Sequence, residues 1–234
     1  MEHFIEMKKV SKEYRLGQNT LLAAHQIDFT IEKGEFVVIL GPSGAGKSTV
    51  LNLLGGMDTV SGGSILVDGR DITKLNDKEL TRYRATDVGF VFQFYNLIPS
   101  LTARENVALV KEVAREGLDV DQVLDAVGLK EHKYQFPTQL SGGEQQRVSI
   151  ARAICKNPKM LLCDEPTGAL DSDTGIIILS LLQDMSRTEG RTVIIVTHNA
   201  ILAEAADKVI RIKNGKIRDV IKNEHPKPVK EVNW

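Results

Sequence analysis

Cysteine is scarce. Cys155 and Cys163 are the only two in 234 residues. They cannot build a disulfide framework, and their spacing lacks the pairing and the histidines of a zinc site. An excess of one charge is also missing. Thirty Lys and Arg stand against 31 Asp and Glu, for a formal net charge of -1. A general nucleic-acid binder carries a basic surplus, so no nucleic-acid partner is expected. Long hydrophobic runs are absent too. Phe36–Leu40 and Gly175–Leu182 fall far short of the roughly 20 apolar residues that span a bilayer. The chain begins with Glu2 and His3 after the methionine, without the basic-then-apolar layout of a signal peptide. These absences point to a soluble cytoplasmic protein that could still dock on a membrane protein. No internal repeat or low-complexity segment is present. What is there is ordinary for a globular chain: 42% hydrophobic and 26% charged residues, enough for one large domain or one domain with a lobe.

Short apolar runs mark the candidate strands. Phe36–Leu40, Ser64–Val67, Val88–Phe92, Met160–Cys163 and Thr192–Val196 have the length and composition of buried strands. Helical spacing follows the first run at Val50, Leu51, Leu53 and Leu54 within Lys47–Gly56, and recurs over roughly Ser172–Ser186. Strands alternating with helices predict an α/β fold with a parallel sheet. The segment to about Gly34 alternates weakly and suggests an antiparallel β layer. Thr102–Gln139 offers no strand but shows helical patterns around Arg104–Glu116 and Val120–Val127. It reads as an inserted helical lobe, which with its flanks occupies roughly 94–155 of a single unit over 1–222. The polar stretch 223–234, with Pro226 and Pro228, reads as a loose tail.

The run Gly41, Pro42, Ser43, Gly44, Ala45, Gly46, Lys47, Ser48, Thr49 fits G-x-x-x-x-G-K-[ST] and lies between a strand and a helix. Glycines let the backbone wrap a polyphosphate with its N–H groups pointing inward, and the helix start adds partial positive charge. Lys47 would reach the β- and γ-phosphates and the Ser48 hydroxyl would bind magnesium. A second strand ends in two carboxylates, Asp164 and Glu165, at the sheet edge where α/β proteins bind ligands. Asp164 would hold the metal through water, and Glu165 would orient or deprotonate an attacking water. Cys163 beside them reads as a small buried apolar residue.

Leu140-Ser-Gly-Gly-Glu-Gln-Gln-Arg147 opens a helical stretch, with Ser141 and Glu144 at capping-box spacing. It can be read as a well-capped helix, but two glycines behind the cap also expose a helix N-terminus to an anion. With these motifs in order, the chain resembles the ATP-binding cassette of an ABC transporter over nearly its whole length. The resemblance implies an ATPase with a P-loop NTPase (RecA-like) core, an N-terminal antiparallel β layer and a helical subdomain, using ATP and Mg2+. It implies a head-to-tail dimer in which Ser141, Gly142, Gly143, Glu144 and Asp171 serve the ATP held by the opposite copy. Gln93 resembles the glutamine that contacts the metal and links core to lobe. His198 resembles the switch histidine that touches the γ-phosphate, and Tyr14 the aromatic that stacks on adenine. Taken singly, His198 could be a polar loop residue and Tyr14 a core aromatic.

Local strings narrow the resemblance. Phe92-Gln-Phe-Tyr-Asn-Leu-Ile-Pro99, Leu101-Thr102, Glu105-Asn106-Val107 and Glu165-Pro-Thr-Gly-Ala-Leu-Asp171 are similar to the macrolide-exporter and lipoprotein-release (MacB/LolD-type) branch. That branch implies an FtsX-like permease, peripheral attachment to the cytoplasmic side of the membrane, and export or mechanotransmission of peptides, antibiotics, lipoproteins or heme. Macrolide exporters of the branch often carry the permease on the same chain; since this sequence does not, a separately encoded permease is expected. The stretch between Val107 and the Ser141 motif is shorter than in typical members. An importer subunit, or a cell-division-type ATPase that signals to a cell-wall enzyme and transports nothing, carries the same motifs. Trp234 is assigned no role.

Overall fold

The computed structural model describes residues 3–17, 19–112 and 117–232. Two sheets form. The first is antiparallel, in the order β2-β1-β4-β5, from β1 (Ile5–Leu16), β2 (Asn19–Ile31), β4 (Gly62–Val67) and β5 (Arg70–Asp71). The second contains β3 (Phe36–Leu40), β6 (Val88–Val91), β7 (Met160–Asp164), β8 (Thr192–Thr197), β9 (Lys208–Lys213) and β10 (Lys216–Lys222), in the order β10-β9-β3-β8-β7-β6. Its pairs are parallel except for the β9–β10 hairpin. The expected antiparallel layer is therefore present, and the Ser64–Val67 run belongs to it rather than to the parallel sheet.

Apart from Asp164, Thr192 and Thr197 at their ends, β3, β7 and β8 are apolar because both faces are covered. On β3, Phe36, Val38 and Leu40 join a core with Leu161, Cys163, Val193 and Ile195. Val37 and Ile39 face the other way, into a core with Leu162, Ile194, Val196 and Ile210. That second core also takes Val50, Leu51, Leu53 and Leu54 of α1 (Lys47–Leu54) and the inner face of the antiparallel sheet. The first core takes α5 (Gly142–Cys155), α6 (Ser172–Glu189) and the lobe. α2 (Asp77–Thr86), not anticipated, is short and polar; a capping box between Asn76 and Glu79 starts it.

The lobe is helical as expected. α3 (Ala103–Lys111) opens with a Thr102–Glu105 capping box and α4 (Val120–Ala126) is capped by Asp119. The end of the expected Arg104–Glu116 helix lies partly outside the described residues, as does Trp234.

The tail expected to be loose is docked through Val232. Val229 and Val232 are 1% and 4% exposed and enter the first core. Buried Gln183 on α6 donates to the Lys227 and Ala205 carbonyls and accepts from Val229 N–H. Lys227 bonds Glu204 through both its backbone N–H and its ammonium. Two valines three residues apart outweigh the polar composition around them, since they meet an apolar groove that composition does not reveal.

Register fixes what the sheet presents. Leu40 pairs with Thr197 and Asp164 with Val196. The segments after β3, β7 and β8 therefore leave from one carboxyl edge, carrying Gly41, Glu165 and His198 to the same place.

Candidate functional site

The loop after β3 wraps tightly because glycine is required there. A Cβ on Gly41 would sit 2.2 Å from the Ile212 carbonyl oxygen, and one on Gly46 2.2 Å from that of Ala23. Gly46 also has φ 98° at the start of α1. Lys47 is 7% exposed, and its ammonium donates to the carbonyls of Gly41 (2.8 Å) and Pro42 (3.1 Å). The cation is thus held over the loop. A cleft of about 480 Å³ opens beside it, lined by Gly44–Thr49, Tyr14, Leu21–Ala23 and the Asn214–Gly215 turn. Motif reading found the loop and Tyr14 but missed the rest of the wall. The β9–β10 turn did carry a signal, Asn-Gly between strand-like runs; both residues have positive φ, 52° and 72°.

Tyr14 stands on β1 at the rim of this cleft. Its hydroxyl donates to Asp58 at 2.7 Å. Burial and the Asp58 bond push the phenol pKa up, and a Thr49 hydrogen bond works against them.

The acidic pair ends β7. Ser48 Oγ donates to Asp164 Oδ1 at 3.2 Å, joining the phosphate loop to the carboxylate. Burial pushes the Asp164 carboxyl up, the Glu165 charge adds to this, and Ser48 and Lys47 oppose it. Glu165 follows with φ 45°, in the left-handed region. One of its oxygens accepts from the Thr197 hydroxyl and the other lies against His198 Nδ1, both at 2.9 Å. The Glu165 side chain is 17% exposed and that of His198 68%. A fixed carboxylate thus meets a solvent-facing imidazole. Thr197 was not singled out in the sequence, where it looks like the polar end of an apolar strand. Gln93, after β6, packs against Gly168 in the loop that follows Glu165. Arg152 on α5 holds the stretch just after Gln93 by donating to the Tyr95 and Asn96 carbonyls.

These residues suit a magnesium ion bound together with phosphates. Among the described residues no group of three or more His, Cys, Asp or Glu could hold a metal. The site instead supplies one hydroxyl, one carboxylate and a nearby amide. Mg2+ takes such hard oxygen donors, keeps several waters and draws further ligands from substrate phosphates.

The Ser141 motif lies elsewhere. Ser141 caps α5, its hydroxyl receiving Glu144 N–H while the Glu144 carboxylate receives Ser141 N–H and Oγ–H. Gly143 packs on α6, where a Cβ would lie 2.3 Å from a methyl of Thr174. Asp171 caps α6 by accepting from Thr174 N–H at 2.9 Å. Gly142 packs against Tyr95. The structure therefore brings Ser141–Glu144 and Asp171 together at two adjacent helix N-termini, and the cleft at the phosphate loop is lined by other residues.

The chain is similar to known proteins in sequence and fold. The ABC transporter family model matches residues 24–168. A putative ABC transporter ATP-binding protein of Mycoplasma pneumoniae, the MG065 homolog, is 44% identical over all of this chain. The chain spans about half the length of that curated relative, 51%. The lipoprotein-releasing system ATP-binding protein LolD 1 of Rhodopseudomonas palustris is 40% identical over 93% of this chain and 99% of its own length. Among solved structures, the dimeric post-hydrolysis state of the cassette MJ0796 bound to ADP and Pi superposes with a TM-score of 0.86. It is 40% identical and covers 93% of this chain and 98% of its own; the curated MJ0796 protein comes from Methanocaldococcus jannaschii.

Proposed function

This chain belongs to the ABC transporter family, and from that premise we propose that it binds and hydrolyses ATP to drive a separate membrane permease. The observation that carries the reading is the placement of Glu165. Its carboxylate is held by Thr197 and faces His198 at the sheet edge that also bears the phosphate loop. ATP would lie in the cleft, with its phosphates under the loop N–H groups and Lys47. Glu165 would take a proton from water as the water oxygen attacks the γ-phosphoryl in line, while the bond from the γ-phosphorus to the β–γ bridging oxygen breaks and ADP leaves beside inorganic phosphate. Lys47 and His198 would meet the charge that develops on the phosphoryl oxygens. Positioning and electrostatics then carry the catalysis. Magnesium would be held by Ser48, Gln93 and, through water, Asp164, and would neutralise phosphate charge when bound.

The cleft is lined without Ser141–Glu144, which supports a head-to-tail dimer. A second copy would present Ser141, Gly142, Gly143, Glu144 and Asp171 to the γ-phosphate, and ATP would close the pair. Residue strings shared with the macrolide-export and lipoprotein-release branch, together with the LolD relative, support an FtsX-like permease as partner. Attachment would then be peripheral, on the cytoplasmic face, with export or mechanotransmission as output. Among the described residues no helix is long and apolar enough to cross a membrane.

Glu165→Gln tests this reading. It keeps the side chain's shape and one acceptor for the Thr197 hydroxyl but removes the base, so it should bind MgATP, dimerise and hydrolyse at least about 100-fold more slowly. A variant that stays monomeric at saturating MgATP, or keeps full turnover, would sink the mechanism. Co-purification of the tagged variant from gently solubilised membranes tests the partner. A many-helix permease with a solute-binding protein would move the assignment to an importer.

A further inference from the structure

The residues that hold Tyr14 are not part of any motif, yet they bind it on several sides. Lys12 is 9% exposed on β1, two residues before Tyr14. Its ammonium donates to Asp58 Oδ1 at 2.5 Å and to the Thr59 carbonyl at 2.7 Å. The same ammonium lies 5.0 Å from the Tyr14 ring centroid, over one face of the ring. Asp58 uses its other oxygen to accept from the Tyr14 hydroxyl. Its Oδ1 also takes Thr59 N–H at 2.7 Å, which fixes the carboxylate to its own turn. That turn is anchored to the helix of the phosphate loop, because Met57 N–H donates to the Asn52 carbonyl at 2.9 Å.

We infer that Asp58 and Lys12 are positioning residues that latch the Tyr14 ring to the end of α1 and so set the purine platform at a fixed distance from the phosphate loop. This rests on the nucleotide reading above and deepens it. The argument is geometric. β1 belongs to the antiparallel sheet and α1 to the parallel core, so without a cross-link the ring would be positioned only by strand packing. The Asp58 carboxylate supplies the link by bonding the ring hydroxyl and the buried cation at once. Lys12 occupies one face of the ring, which leaves the opposite face for a base. The wall beside it comes from β2, where Leu21 pairs with Tyr14 in register and lines the cleft with Leu22. The ligand recognised by the latch is an aromatic base carried on a polyphosphate. A bare polyphosphate would use the loop and ignore it.

The test compares ATP with inorganic tripolyphosphate, both with Mg2+, by calorimetry on the full chain. Tyr14→Phe keeps the ring and removes the link to Asp58; Asp58→Ala removes the carboxylate. Each should weaken ATP on the order of five- to tenfold, only part of the worth of a hydrogen bond to a charged group, because the bond places the ring and does not touch the ligand. Tripolyphosphate affinity should hold, and in turnover the loss should fall on KM rather than on kcat. Combining the two changes should weaken ATP no more than the worse single change, since they cut the same link. Asp58→Asn, which retains an acceptor for the tyrosine but not the charge for Lys12, should recover part of the loss. If Asp58→Ala fails to fold, Tyr14→Phe carries the test, because it deletes a single oxygen. Unaltered ATP affinity in the folded variants, or an equal loss for both ligands, would overturn the latch alone. A wild-type protein that bound neither ligand would overturn the nucleotide reading itself.

Discussion

Replacing Thr197 by valine isolates one contact to Glu165, the residue on which the proposed hydrolysis mechanism depends. Valine has nearly the same shape, so the 4% exposed site should repack with little disturbance. What disappears is the hydroxyl. It donates to Glu165 Oε2 at 2.9 Å and accepts from Asn199 N–H at 3.0 Å. Glu165 would then be held on one side only, through His198 Nδ1, a partner that is largely solvent-exposed. A hydrogen bond to a charged group contributes about 1.5–3 kcal/mol. If that orientation is needed in the transition state, kcat should fall roughly 10- to 150-fold, at about 1.4 kcal/mol per decade. KM should change little, because Thr197 does not line the cleft beside the phosphate loop. Phosphate release at saturating MgATP reads kcat, and a melting curve checks the fold. Loss of the Asn199 contact should lower the melting temperature slightly. Thr197→Ser keeps the hydroxyl and should stay near wild type. A folded valine variant within threefold of wild-type kcat would refute the claim that Thr197 orients the carboxylate.

Other outcomes follow from packing and charge. Gln183→Leu removes the bonds to the Ala205 and Lys227 carbonyls and to Val229 N–H. It should cost roughly 2–4 kcal/mol in urea unfolding and release amide exchange across 224–232; an unmoved urea midpoint would contradict the docked tail. Lys156 donates to the Arg84 and Val88 carbonyls, and burial, helped by Arg152, pushes its pKa down to about 8. Between that value and its ordinary 10.5 the unfolded chain binds more protons, so this residue makes stability rise with pH over that window. Lys156→Met should remove that rise, and an identical pH profile would show that the amine is not desolvated. Burial also pushes the thiols of Cys155 and Cys163 up. Neither should react with a thiol reagent until the protein unfolds, and rapid labelling of the native form would disprove the packing of β7 and α5.

Some of this protein was determined locally and could be read without a fold. The phosphate loop needs glycine at set offsets, between a strand that is apolar throughout and a helix start, and each requirement is met within about a dozen residues of chain. The capping boxes at Thr102–Glu105 and Ser141–Glu144 are equally local, since cap and partner lie three residues apart. Other features exist only through long-range pairing. Glu165 meets Thr197 and His198, 32 and 33 residues away, because β7 and β8 align their carboxyl ends. Tyr14 meets Asp58, 44 residues away, because β1 meets the turn that follows α1. No spacing rule ties such partners, so Thr197, Asp58 and Lys12 looked like ordinary strand-end and turn residues. The tail failed as a sequence reading for the same reason. Its valines gain their partners from α6, and whether an isolated apolar residue is buried depends on a surface that the chain builds elsewhere. Backbone preference acts within a few residues and is legible in order. Burial and hydrogen-bond partnership act across the sheet register, and only the assembled structure decides them.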